Sequence, residues 1–168
     1  MDAPMILNWR KAAIIQQRPR NNGQAGKAPE RGNDRVRAST IPEAGADMTL
    51  DEYNTFCASL PSTTHVVQWG ASHVWKVGGK VFAIASEWVG GPGNPYCTFK
   101  TSEMSFDVLR EQAGCRPAPY LASRGMKWIQ RMGDETVDDE ALYEYLRESH
   151  RLVALGLPRK VRAELGLV

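Results

Sequence analysis

From Thr49 onward the apolar positions switch between two periods. Tyr53, Phe56, Cys57 and Leu60 recur at three- and four-residue steps, on one side of a helix that Pro61 ends. Thr49 and Glu52 have the spacing of a capping box, with Met48 and Tyr53 outside it as a hydrophobic staple. The period then drops to two. His65–Trp69 and Ser72–Val77 read as strands, and Gly78-Gly79 makes a tight turn into Lys80–Ser86, because both glycines can take positive φ. Glu87–Pro95 (EWVGGPGNP) has the composition of an irregular loop, and Tyr96–Lys100 is a further strand.

The helical period returns after Thr101 or Ser102, either of which can cap. Phe106, Leu109 and Ala113 form its inward face, and Gly114 stops it. Arg116–Leu121 and Met126–Met132 read as a second strand pair, with Pro117 and Pro119 keeping the first at an edge or making it irregular. A third helix is expected from about Asp138 to Leu155. Asp138, Asp139 and Glu140 suit its positive end, Leu142, Leu146 and Val153 its buried stripe, and Gly156 closes it. Pro158 fits the first turn of a short last helix. The order α, three or four β, α, two β, α, α, with short turns between strands, predicts a two-layer α+β fold. Its sheet is mostly antiparallel, with the helices on one face.

Residues 1–47 behave differently. They hold eight Lys/Arg against five acids, whereas 48–168 holds 13 against 14, and Gln16–Asp47 has almost no large apolar side chain. Such a stretch cannot bury enough surface to offset its ordering entropy. A disordered basic extension is therefore expected over 1–47, apart from a weak helix over Ile6–Ile15, with one domain over 48–168. The extension could attract phosphate as a basic arm. Its residues favour a solvated extension instead, or upstream sequence taken in by an early start codon.

No apolar run approaches the roughly 20 residues that cross a bilayer. The basic residues of the N-terminus follow its apolar patch, the reverse of a secretory signal, so a cytoplasmic location is expected. Cys57, Cys97 and Cys115 are an odd number without a CxxC pair, which argues against disulfides and zinc and for buried thiols.

Catalytic chemistry finds little support. Gly90, Gly91 and Gly93 are followed by no GK[ST] and form no helix-opening GxGxxG. His65, His73 and His150 lack metal-ligand spacing. Ser149 and His150 are neighbours on a helix, so their side chains diverge by about 100°. The acids from Asp134 to Glu140 are explained by capping. No enzyme activity, cofactor or metal is expected.

Two features fit a binding role better. Arg159 and Lys160 fall in the first turn of the last helix, near Arg147, Arg151 and Arg162, where the dipole disfavours each positive charge by about 0.3–1 kcal/mol. Glu148 or Asp134 of the chain, or a phosphate backbone, would offset that. The domain also carries Trp69, Trp75, Trp88 and Trp128. Trp75 and Trp128 suit the core, and Trp88 is the most exposed by context. Aromatics interleaved with Lys76, Lys80, Lys100, Lys127 and Arg131 would suit base stacking and phosphate contact.

Several segments, in order, carry a family resemblance: SLP (Ser59–Pro61), WG (Trp69-Gly70), VWKVGGKVFAIAS (Val74–Ser86), FK (Phe99-Lys100), LREQAGCRPAPYL (Leu109–Leu121), KWI (Lys127–Ile129), ESHRLV (Glu148–Val153) and LPRKVR (Leu157–Arg162). Together they resemble the MmcQ/YjbR family of small bacterial proteins, from Met48 to about Leu165. The resemblance implies a two-layer fold of the frataxin-like or secretion-chaperone-like kind and DNA binding in a double-wing mode, with no enzyme mechanism or cofactor. His150 departs from the tyrosine usual after the serine. SRGM before Lys127 is less basic than the family's common pattern there.

The leading expectation is a non-enzymatic DNA-binding module. Lys76, Lys80, Lys100, Lys127 and Arg131 would contact phosphates, Trp88 or Trp128 would stack, and Arg159 and Lys160 would add contacts. The alternative is a protein- or peptide-interaction module using an exposed, apolar sheet face. A third option, a small molecule held between the Gly-rich loop and the sheet, would need a concave apolar pocket near Trp88. Neither a membrane nor a metal is an expected partner.

Overall fold

A capping box opens the first helix, α1 (Leu50–Ser59): the Thr49 hydroxyl accepts from the Glu52 amide at 3.2 Å, and the Glu52 carboxylate accepts from the Thr49 amide at 2.8 Å. Such a cap contributes about 1 kcal/mol. The computed structural model describes residues 48–87 and 95–167. The readings of 1–47 as a disordered extension, of its helix, and of the Gly-rich loop with Trp88 lie outside the described residues.

The elements that follow are β1 (Thr63–Gln68), β2 (Ser72–Val77), β3 (Lys80–Ser86), β4 (Tyr96–Lys100), α2 (Glu103–Leu109), β5 (Cys115–Pro117), β6 (Trp128–Arg131), α3 (Asp139–Leu155) and α4 (Arg159–Glu164). The strands form one sheet in the order β1-β2-β3-β4-β6-β5, antiparallel throughout. The chain thus has the α+β architecture expected, with the bounds of β2, β3 and β4 as read from the sequence.

Gly78 and Gly79 take φ of 54° and 75° and give the two-residue turn between β2 and β3. A Cβ at Gly78 would lie 2.5 Å from Leu157 Cδ1, so this turn also packs tightly beneath the α3–α4 connection. Elsewhere the local reading shifts. β1 begins at Thr63 and ends before Trp69, whose φ of 54° takes it out of the ladder. β5 stops at Pro117 instead of reaching Leu121: Pro119 has no N–H to pair, and Tyr120 sits at φ 69°. A 3₁₀ turn, Ala122–Arg124, follows and leads back to β6. α2 ends at Leu109, so Ala113 is exposed rather than inward.

The helices lie on one face of the sheet. Trp75, Val77, Phe82, Ala85, Cys97, Phe99 and Ile129 pack there against Tyr53, Cys57, Phe106, Leu142 and Leu146. Two polar residues of α3 bind it to the sheet and to the end of α1. The Ser149 hydroxyl donates to the Phe82 carbonyl at 2.5 Å and accepts the Lys100 amide at 2.8 Å. His150 Nε2 lies 2.9 Å from the Pro61 carbonyl. The three thiols are free and buried, and desolvation raises all of them, Cys97 to about 12.

Candidate binding face

Strand pairing sorts the polar residues between the two faces. Thr98 pairs with Ile84 and Gln130, Lys100 with Trp128, Lys76 with Val74's neighbour strand at Val81, and Arg116 with Gln130. All of these point away from the helices, because their strand neighbours Trp75, Phe99, Ile129 and Arg131 point towards them. Beneath this second face runs a hydrogen-bonded row. Gln130 Nε2 donates to Thr98 Oγ1 at 3.2 Å, and its Oε1 accepts from Arg116 Nε at 2.9 Å. Lys76, Lys100 and Arg116 are half-buried along the face. None of the fourteen acidic residues of 48–168 lies in a strand or in the 118–126 segment that crosses this face; most sit in or cap the helices. The acids of the domain are therefore concentrated in the helices and their caps, while Glu87 directly follows β3.

Between the sheet and the 118–126 segment is a concavity of about 430 Å³. Val81, Ile84 and Trp128 supply its floor, and Trp69, Tyr120 and Met126 its walls. Arg124, in the 3₁₀ turn, also lines it, as does Lys80 at the start of β3, although pairing with the core residue Val77 starts the Lys80 side chain on the helical face. The Arg124 guanidinium lies 5.3 Å from the Tyr120 ring centroid. Trp128, read as a core residue, is buried as expected, but on this face and not against the helices.

The other residues expected to contact phosphate are dispersed. Arg131 departs from the expectation outright. It is 1% exposed, donates from Nε to the Val137 carbonyl at 2.7 Å, and pairs through Nη2 with Asp139 at 2.8 Å. It pairs with Cys97 and Cys115, a register that turns it into the helical layer, where it ties β6 to the start of α3. Lys127 also turns to the helical side: its Nζ is 3.5 Å from Glu103 and 4.9 Å from the Phe106 ring. Arg159 and Lys160 are exposed on α4, and Lys160 lies 4.0 Å from Glu164 rather than near Glu148 or Asp134. Glu148 instead holds Arg151 through two 2.7 Å bonds, which lower the Glu148 carboxyl and raise the guanidinium.

One cluster went unseen in the sequence. The β1–β2 register brings His65 and His73 to a 3.1 Å contact between Nε2 and Nδ1. The Asn54 amide reaches the same His73 nitrogen at 2.9 Å, and its oxygen accepts from Trp75 Nε1 at 2.9 Å. The indole stacks on His65 at 4.7 Å. With neutral rings, His73 Nδ1 accepts from both donors, and desolvation followed by the neighbouring His73 depresses the basicity of His65. Only the i, i+8 spacing across a hairpin could have signalled it. Among the described residues no three His, Cys, Asp or Glu side chains group as metal ligands.

The fold defines a small two-layer α+β domain, with one face committed to its helices and the other bearing cations around a cavity. A model of the YjbR family matches residues 58–152, more than half of the chain, and the chain belongs to that family. It is similar to a solved structure, the Deinococcus radiodurans protein DR2400 with its DUF419 domain. The identity is 26%, covering 71% of this chain and 89% of that one, with a TM-score of 0.60. No curated protein matches the chain.

Proposed function

We propose that the chain binds nucleic acid across the sheet face opposite its helices. The observation that carries this reading is the segregation of charge: Lys76, Lys100, Arg116 and Arg124 belong to that face or its rim, and no strand supplies a carboxylate. A polyanion lying there meets cations without crossing the acids of the helical layer. Lysine contacts of this kind position a backbone and read little sequence. Arg131 and Lys127 drop out of the contact set, since each is engaged on the helical side.

The alternative, docking of an apolar peptide segment, draws support from the concavity on the same face. Salt separates the two readings. Fluorescence anisotropy with labelled single- and double-stranded oligonucleotides should give affinity that falls steeply between low and moderate salt. Lys76→Glu with Lys100→Glu should weaken it by at least about tenfold, because each reversal both removes a phosphate contact and adds a repulsion. Binding that ignores both salt and this double reversal would exclude the nucleic-acid reading.

A further inference from the structure

We infer that the concavity under the 118–126 segment is a site for a small amphipathic carboxylate, with an apolar body inside and its carboxylate at the rim on Arg124. The inference shares Arg124 with the nucleic-acid reading but rests on the cavity, and that reading is tested separately at Lys76 and Lys100.

A volume of about 430 Å³ falls within the roughly 300–1,000 Å³ of small-molecule pockets. Val81, Tyr120, Leu121 and Met126 line it around Ile84 and Trp128, so an apolar occupant would meet mainly hydrocarbon and ring surface. Few polar atoms face the cavity. A nucleobase enclosed there would leave its hydrogen-bonding edge without partners, whereas an alkyl or aryl body needs none.

Charge complementarity chooses the head group. Among the described residues Arg124 has no carboxylate within ion-pair distance, while Arg110, Lys127, Arg131, Arg147, Arg151 and Lys160 all do. Arg124 rests over the Tyr120 ring, which keeps its guanidinium near the cavity and leaves its fork free for a carboxylate.

The walls are also held in a costly conformation. Among the described residues four non-glycine residues have positive φ, and two of them, Trp69 at 54° and Tyr120 at 69°, are the aromatic walls of this cavity. A large aromatic at positive φ is disfavoured, and such strain gathers at binding sites where a side chain must be aimed.

Titration calorimetry on the full chain with octanoate, octan-1-ol and octylamine tests the assignment. The expected result is saturable octanoate binding, with octan-1-ol weaker by about tenfold (1.4 kcal/mol) and octylamine weaker still. Charge reversals at the exposed Arg124, to Glu or to Asp, should weaken octanoate by at least about tenfold while leaving binding of the alcohol unchanged. Met126→Trp, which fills the cavity from a partly exposed wall, should abolish both, with circular dichroism confirming that each variant is folded. Three outcomes would overturn the inference: no saturable heat with octanoate up to about 1 mM, octanol binding as tightly as octanoate, or octanoate affinity indifferent to the charge reversals or to Met126→Trp.

Discussion

Consecutive residues of β6 meet two different environments. Ile129 and Arg131 turn into the helical layer, where the isoleucine joins the core and the guanidinium is bonded to Val137 and Asp139. Trp128 and Gln130 turn the other way, to a cavity floor and to a row of hydrogen bonds that ends on Arg116. The same contrast runs across the sheet: Trp75, Phe82 and Phe99 on one face, Lys76, Lys100 and Arg116 on the other. Cations occur on both faces, but burial divides their roles. Arg131 has lost its water and must be answered by the protein, so it serves the fold. The half-exposed lysines retain theirs and can exchange it for a ligand.

Mutations at matched positions on the two faces should separate these roles. The largest effect is expected from Phe82→Ala, which empties the centre of the helical face and should lower stability by about 3–5 kcal/mol in urea unfolding. Arg131→Ala should follow at about 3 kcal/mol, because it removes the bond to the buried Val137 carbonyl and the ion pair with Asp139. An equal loss of affinity for a polyanion beyond that caused by unfolding would contradict its structural assignment.

Acid should loosen the helical face next. Desolvation depresses His150 despite its bond to the Pro61 carbonyl, and depresses His65. The unfolded chain then binds protons more readily than the folded one, so this stability is complete above the ordinary histidine value of 6.5 and is lost as pH falls below it. Glu52 and Glu148 are depressed by hydrogen bonds, to Thr49 and to Arg151, and add a second loss below 4.5. Melting temperature should fall in two stages. His150→Gln, which can still donate to Pro61, should flatten the upper one. The smallest effect belongs to the second face: Lys76→Ala with Lys100→Ala should leave unfolding within about 0.5 kcal/mol of the parent. A larger change would mean that these lysines belong to the fold as Arg131 does.

Much of the fold was legible along the chain. The Thr49/Glu52 box, the Gly78-Gly79 turn and the Asp138 cap are short-range devices, and each occurs where its spacing placed it. Where a boundary moved, a local conformation intervened that residue type does not announce, as at Trp69 and Tyr120, both left-handed without being glycine. The candidate face was less legible. Lys76 and Lys100 share that face, yet Lys80, Lys127 and Arg131 were grouped with them, and Arg116, Arg124 and Tyr120 were passed over.

The physical reason is the strand period. Alternation tells that Trp128 and Ile129 face opposite ways, but the helices that claim one face are connected through residues far along the chain. Periodicity and capping therefore specified the helices, the strands and their order, since these depend on neighbours within a few residues. Which face is sealed, which arginine is enclosed, and that Trp69, Lys80 and Arg124 surround one cavity were decided only when the β5–β6 hairpin folded beside β4 and α3 packed across the sheet.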